Sequence, residues 1–358
     1  MNLKIKFRKV EFILSIKRNY INGTTPIQKL SGLSDYLQGP EVFIKRDDLT
    51  HGLTEGGNKV RKLEYVIADA LKNGCDTLIT CGAVQSNHCR LTLAAAVREG
   101  LKCHLVLEER VMASYFPQAS GNNLLYNLLG AENIRVVPGG SDMMAEMEQD
   151  KQELEQQGRK PYIIPGGASN EIGAMGYRDC GLEIMDQISE LGIDLDYLIC
   201  ASGSGGTHAG LLAGFFHYEL LNTASQSEPG QLRSTTQIPD VVGINVRAPK
   251  KQQEDKITEL TAKTSQYAGV SQKFPEDRIA CFDEYVGNGY SLPTDGMKEA
   301  VKLLASLDGI LLDPVYSGKA MAGLIDLVRN GYFDADDKVL FLHTGGVPAL
   351  YHYAHYFI

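Results

Sequence analysis

The sequence predicts an α/β protein built on mostly parallel sheets. Short apolar runs rich in β-branched residues alternate with helical stretches along nearly the whole chain, and such alternation gives parallel strands joined by crossover helices. The number of strand–helix units exceeds what one sheet usually holds, which predicts two sheets. A chain of 358 residues is long enough for two domains sharing an interface. Apolar residues at 43% and charged residues at 22% are ordinary proportions for a chain with a full core.

Residues 1–40 end in a turn-rich stretch, NGTTPIQKLSGLSDYLQGP, with Pro26 and Pro40 as boundaries. A short extended segment follows over Val42 to Lys45. From near Lys59 a helix is expected, because Leu63, Val66, Ile67 and Ala70 share one face. The runs TLITCGA (77–83), CHLVLEE (103–109), IRVVP (134–138) and YIIPGG (162–167) read as strands, with helices between them at 87–99 and 141–157. In the second half YLICA (197–201) reads as a strand, followed by a glycine-rich loop and a helix from Thr207. VVGINV (241–246) and VLFLHTGG (339–346) read as further strands. Residues 222–238, rich in Ser, Thr, Gln and Pro, read as an exposed loop.

A net charge of −9 argues against nucleic acid as a main partner, since a phosphate backbone rewards a basic face. The seven cysteines show no CxxC pair and no histidine at zinc-ligand spacing, so free thiols in a reducing compartment are expected, with no metal. The first twenty residues start basic, but Arg8, Lys9 and Glu11 break their apolar runs. Neither a signal peptide nor a membrane span is expected, and a cytoplasmic location follows as the default.

Three segments could carry chemistry. The loop ASGSGGTHAG (201–210) lies between a strand and a helix, where glycines and free N–H groups cradle a phosphate. A tight turn with no ligand is the plainer alternative. A dinucleotide site, and with it a nicotinamide oxidoreductase, is disfavoured because Gly203-x-Gly205-x-x-His208 lacks the third glycine. In GGNKVRK (56–62), Lys59 stands at a helix start, where the helix dipole disfavours a cation; most lysines are nonetheless solvated surface groups. In CGAVQSNHCR (81–90), Gln85, Ser86, Asn87 and His88 crowd a helix N-terminus that suits a carboxylate, or else Ser86 or Asn87 simply caps the helix.

Taken in order, GGNKVRKLEY, GAVQSNHCR, SGSGGTHAG, GYSLPTDG, LLDPVYSGKAMAG and HTGGVPAL resemble the pyridoxal 5'-phosphate (PLP) dependent family that contains D-cysteine desulfhydrase and 1-aminocyclopropane-1-carboxylate (ACC) deaminase. The resemblance runs from about Thr25 to Leu350. It implies a two-domain tryptophan-synthase-β-like fold (fold type II), each domain a mostly parallel sheet with helices on both faces. The large cofactor-binding domain would comprise 1–55 and 170–358, and a small inserted domain 56–169. It also implies a homodimer acting on a small amino acid.

By motif position, Lys59 would form the Schiff base and Ser202, Gly203, Ser204, Gly205, Gly206 and Thr207 would hold the phosphate. Asn87 would meet the ring's 3-hydroxyl. Ser86, Asn87 and His88 would receive the substrate carboxylate, while Tyr290 and Tyr316 would stand beside the substrate as proton-transfer groups. Two positions bear on the branch. Ser317 stands where ACC deaminases carry glutamate, and Thr344 where they carry leucine. By analogy Ser317 would lie at the ring nitrogen, where a hydroxyl favours the neutral ring and a modest electron sink. That suffices to remove an α-proton and expel sulfide, so β-elimination from D-cysteine is favoured over ACC ring opening. A lyase for another β-substituted amino acid such as L-cysteate is the nearest alternative. A cationic cluster beside Tyr290 would favour a sulfonate, and the sequence offers none nearby. A catalytically silent relative is disfavoured by the presence of Lys59, Ser86, Tyr290 and Tyr316. The roles of Gln85 and His208 stay open.

Overall fold

The computed structural model describes residues 3–7, 10–14, 16–112, 114–116, 118, 120–225 and 237–358. Strands β1 (Leu3–Phe7) and β2 (Val10–Leu14) pair antiparallel as a separate ribbon. Two larger sheets organise the rest.

The turn-rich stretch before Val42 holds more order than its composition predicts. It contains β3 (Ile27–Lys29) and α1 (Ser31–Leu37), the latter ended by Gln38 in the left-handed region. β4 (Glu41–Lys45) follows, and then α2 (Lys59–Lys72). The next four strands form a wholly parallel sheet in the order β7-β6-β5-β8. They are β5 (Thr77–Ala83), β6 (Lys102–Glu109), β7 (Asn133–Pro138) and β8 (Pro161–Ile164), separated by α3 (Asn87–Glu99), α4 (Asn122–Leu128) and α5 (Met143–Gln156). β8 stops three residues short of the expected end because Gly167 takes a positive φ of 75° in the turn beyond Pro165.

Two long helices, α6 (Glu171–Leu191) and α7 (Gly206–Ser225), flank β9 (Tyr197–Ser202). α7 runs on through residues 222–225, which composition assigns to a loop; residues 226–236 of that stretch lie outside the described residues. After β10 (Asp240–Asn245) come α8 (Lys250–Tyr267), β11 (Ala280–Phe282), α9 (Asp295–Asp308), α10 (Ser317–Arg329), β12 (Lys338–Leu342) and α11 (Val347–His352). The second sheet has the order β11-β10-β9-β12-β4-β3, parallel except for the edge strand β3. β12 ends at Leu342 because His343 to Gly346 turn sharply, with both glycines at positive φ.

The central strands of the larger sheet read as continuous apolar runs because both faces are covered. Ile199, Val339 and Phe341 pack on the α1, α9 and α10 side, and Leu198, Cys200, Leu340 and Leu342 on the α6, α7 and α8 side. In the smaller sheet Leu78 and Leu105 face a core shared with α2 and α3, while Ile79 and Val106 face α5.

A buried ionic network fixes the turn that leads into α2. The Asp47 carboxylate accepts from Arg61 Nε at 2.8 Å, Thr25 Oγ1 at 2.7 Å and the Tyr177 hydroxyl at 2.6 Å, and it is fully buried. Burial alone would raise its pKa, but Arg61 and Lys45 overcome that and hold it at about 2. Asp47→Ala is therefore expected to destabilise the fold by about 3–5 kcal/mol, because Arg61 would be left buried without its main partner. A folded pKa below the unfolded value gives stability that is complete above about pH 4 and lost as pH falls toward 2. Urea melts of both proteins at pH 7 and pH 3 check this; equal midpoints for the two proteins at pH 7 would contradict it.

Candidate active site

Both sheets turn the carboxyl ends of their strands toward one cleft, where ligands bind in open α/β sheets. A cavity of about 460 Å³ lies there, lined from the smaller sheet by Ser86, His88, Glu108 and Arg110 and from the larger by Gly203, Ser204, Arg247, Tyr290 and Tyr316. Lys59 sits between the two sets. The inner end of the cleft is walled by Asn58, Asn87, Thr207 and Thr344.

Lys59 is the first residue of α2, presented by the turn at Gly56 and Gly57, both at positive φ. Its Nζ donates to Asn58 Oδ1 at 3.0 Å, and Asn58 Nδ2 reaches Thr207 Oγ1 across the cleft at 3.0 Å. Burial pushes the Lys59 pKa down to about 8, against the opposing pull of the Asp313 carboxylate. A minority of the amine is thus neutral near physiological pH, far more than for an exposed lysine, and that fraction can attack a carbonyl.

The glycine-rich loop joins β9 to α7. Gly205 has a φ of 96°, and a Cβ on Gly206 would meet Ser169 Oγ at 2.8 Å and Lys62 Nζ at 2.9 Å. Only a glycine lets the backbone come this close. Lys62, one turn along α2 from Lys59, is fully buried with Nζ 3.2 Å from Gly167 O and 3.3 Å from Ser169 Oγ. The Ser202 hydroxyl faces away, held by Gln253 Nε2 at 2.9 Å and His208 Nδ1 at 3.2 Å. His208 is a packing residue: its ring lies where a Cβ on Gly243 would stand, and burial lowers its pKa to about 4.

At the start of α3, Ser86 Oγ caps the helix by accepting from Cys89 N at 3.1 Å. Capping and ligand binding coexist here, since the first-turn amides of a helix have no partner within it. Asn87 Oδ1 accepts from Asn122 Nδ2 at 2.9 Å, which leaves Asn87 Nδ2 as a donor. Gln85 anchors α4, its Oε1 accepting from Asn122 N at 2.8 Å. Thr80 Oγ1 gives its one proton to Ile164 O at 2.8 Å and lies 2.7 Å from His88 Nε2. That network assigns the proton to His88 Nε2 and leaves buried Nδ1 as a bare acceptor, without a partner among the described residues. Any donor to a carboxylate from His88 is therefore its backbone amide. Burial holds the ring well below its usual pKa and so neutral.

Tyr290 and Tyr316 meet hydroxyl to hydroxyl, with ring centroids 5.8 Å apart. Burial raises both phenols, Tyr316 most, so both stay protonated at neutral pH. Ser317 is fully buried and its hydroxyl donates to Asp313 Oδ1 at 2.7 Å, while the amides of Val315, Tyr316 and Ser317 also point at the Asp313 carboxylate. Thr344 lines the inner cleft, 7% exposed.

Four charged residues escaped sequence reasoning. Lys62 had a usable signal, its i,i+3 spacing from Lys59 on one helical face. Asp313 lies in a motif already singled out. Arg110 and Arg247 follow the ends of β6 and β10 and converge over Tyr290, with guanidinium carbons 4.3 Å and 5.9 Å from its ring centroid. The expectation of no cationic group beside Tyr290 is therefore corrected; the cluster is assembled by the two sheets from residues remote in sequence.

These donors fit pyridoxal phosphate. The amides of residues 203–207 and a helix N-terminus suit a phosphate dianion. Its charge would favour protonation of buried Lys62, a group that burial and Lys59 otherwise push well down in pKa. Lys59, with its lowered pKa, faces these amides across the cleft for the aldehyde. Neutral Lys59 makes cofactor uptake pH-dependent: the rate at which apoprotein reconstitutes with PLP should climb through about pH 8 and level off above it. A rate still rising steeply beyond pH 10 would mark an ordinary surface lysine.

Comparison with known proteins agrees. The family model for pyridoxal-phosphate dependent enzymes matches residues 19–345. The D-cysteine desulfhydrase of Salmonella typhimurium is 43% identical over 339 residues, covering 93% of this chain and 95% of that protein. The D-cysteine desulfhydrase of Salmonella paratyphi C is 43% identical over 338 residues, covering 93% and 94%. Among solved structures, an ACC deaminase homologue aligns with a TM-score of 0.79 at 35% identity, covering 96% of this chain and 95% of that one. A hydrogen sulfide-producing enzyme from Fusobacterium nucleatum shares the fold, with a TM-score of 0.59 at 15% identity over 90% of this chain and 95% of that one. With its lysine, phosphate cradle and fold all in agreement, the chain belongs to the family of pyridoxal-phosphate dependent enzymes.

Proposed function

We propose that the protein is a carbon–sulfur lyase that converts D-cysteine to pyruvate, hydrogen sulfide and ammonia by β-elimination. The observation that carries this reading is the placement of a buried lysine of lowered pKa opposite a pair of protonated, hydrogen-bonded tyrosines in one cleft. Identity of 43% to D-cysteine desulfhydrases over most of the chain supports the substrate; the preference for the D enantiomer rests on those relatives alone.

When bound, PLP supplies an electron sink for negative charge at the substrate's α-carbon. Lys59 anchors it, with the amides of 203–207 and Lys62 at its phosphate and Asn87 Nδ2 at its 3-hydroxyl. The first-turn amides of α3, at Ser86, Asn87 and His88, orient the substrate carboxylate. Lys59, in its free amine form, accepts the α-proton. Tyr290 is a poor base because burial keeps its proton on. Tyr316 donates toward the departing sulfur, and its hydrogen bond to Tyr290 supports that transfer. Ser317, its hydroxyl held by Asp313, and Thr344 stand where ACC deaminases carry a carboxylate and an alkyl group, which suits elimination better than ring opening.

We take residues 1–55 and 170–358 as the large domain and 56–169 as the small one, a division supported by the separate sheets, one within 77–164 and the other built from strands at 27–45 and 197–342. A homodimer is the proposed assembly, as symmetric pairs are common, and sedimentation tests it. The seven free thiols support a reducing, cytoplasmic setting. The substrate assignment is tested by offering D-cysteine, L-cysteine and ACC to the purified holoenzyme. Sulfide from D-cysteine and no 2-oxobutyrate from ACC is the expected pattern; efficient ACC deamination would overturn it.

A further inference from the structure

Tyr290 lies in a stretch with no regular structure to hold it. Residues 283–294, between β11 and α9, form neither helix nor strand, and Gly287, Gly289 and Ser291 take positive φ of 65°, 142° and 64°. Ser291 carries a Cβ in that region, so contacts from outside the stretch must impose its path. Helix α10 supplies them at two points. At the exposed one, the Tyr285 hydroxyl donates to Asp326 Oδ2 at 2.8 Å. At the buried one, Lys319 Nζ donates to Val286 O at 2.7 Å and to Gly289 O at 2.9 Å, the latter on the residue just before Tyr290. Lys319 is fully buried, pairs with no carboxylate among the described residues, and stands three residues after Tyr316. A buried lysine with only carbonyl partners is costly for a fold to keep. Burial lowers its pKa to about 8, and both the ammonium and the neutral amine have donors enough for the two carbonyls.

We infer that Lys319 is a positioning residue for the elimination: it sets the hydroxyl-to-hydroxyl contact of Tyr290 with Tyr316, and so the aim of the Tyr316 proton at the departing sulfur. This rests on the reaction proposed above. The contact needs two segments held in register. Tyr316 is fixed by the turn at Asp313, whose carboxylate accepts from the amides of Val315, Tyr316 and Ser317. Tyr290 has no such turn of its own, and Lys319 ties its backbone to the same helix start. Lys59 stands apart from this clamp, on α2, with its Nζ on Asn58. Loss of Lys319 therefore spares transfer of the α-proton and slows departure of the leaving group. Misplacing a reacting group by about 1 Å costs on the order of 100-fold in rate.

The test compares wild type, Lys319→Met and Lys319→Gln in three measurements. Sulfide release from D-cysteine by the holoenzyme should fall about 10- to 100-fold in Lys319→Met, in kcat rather than in KM. Exchange of the α-proton of D-alanine in heavy water, which needs Lys59 but no leaving group, should keep its wild-type rate. Lys319→Gln, whose amide still offers two N–H donors, should fall between wild type and Lys319→Met in sulfide release. The third measurement uses the apoprotein labelled with 3-fluorotyrosine. There the fluorine line of Tyr290, assigned by its loss in Tyr290→Phe, should shift and broaden in Lys319→Met. If the methionine variant does not fold, Lys319→Gln carries the same three readouts. Equal falls in sulfide release and in exchange would mark a general loss of structure and overturn the inference. So would unchanged sulfide release, or a Tyr290 line that does not move. A wild type that releases no sulfide would refute the proposed function, and the Tyr290 line would then decide by itself whether Lys319 sets the place of that tyrosine.

Discussion

Lys59→Ala is expected to lose D-cysteine turnover by about 10⁴-fold or more, because one residue serves as both cofactor anchor and proton acceptor. The purified variant should also lose the yellow colour of the covalently anchored cofactor. Folding should survive, since Lys59 Nζ makes a single hydrogen bond, to its neighbour Asn58. The network at Asp47, Arg61 and Glu183 that fixes the start of α2 does not involve it. Circular dichroism and an unchanged melting curve would separate lost chemistry from lost structure. A yellow, active variant would remove Lys59 from the mechanism.

The second large effect is expected from Ser317→Glu combined with Thr344→Leu. In the native protein the Ser317 hydroxyl is spent on Asp313, in a spot with no exposure to solvent. A glutamate introduced there adds a carboxylate against a carboxylate, so one of the two must hold a proton. That alters the charge felt near Lys59, whose pKa Asp313 already raises. Leucine at 344 removes a hydroxyl from the inner cleft wall. Sulfide production should fall by about 10- to 100-fold, an effect of roughly 1.4–2.7 kcal/mol on the barrier, and ACC ring opening becomes measurable if these positions set the electron sink. Unchanged kcat/KM for D-cysteine would refute their role.

Much of the cleft was legible because its parts are local. The loop at 203–207 is written in consecutive residues between a strand and a helix, and Lys59 follows two glycines at a helix start. Ser86 could be read both as a cap and as part of a carboxylate site, and the structure makes it a cap while leaving the neighbouring amides free. Strands such as β5 and β9 were visible as apolar runs because helices cover both faces. Their ends were less so, since β8 and β12 stop where glycines at 167, 345 and 346 take positive φ. What could not be read is what needs both sheets at once. Arg110 and Arg247 become a pair only when β6 and β10 point into one cleft, and no spacing in the sequence encodes that meeting. Asp313 gains its meaning from the amides of the turn around it. The proton on His88 is set by Thr80 and Ile164, on two other strands.

The most direct measurement is sulfide and pyruvate release by the yellow holoenzyme given D-cysteine alone. Equal amounts of the two products, appearing together at a rate proportional to enzyme, are the predicted result. A yellow protein that binds D-cysteine yet releases neither product would contradict β-elimination as its chemistry.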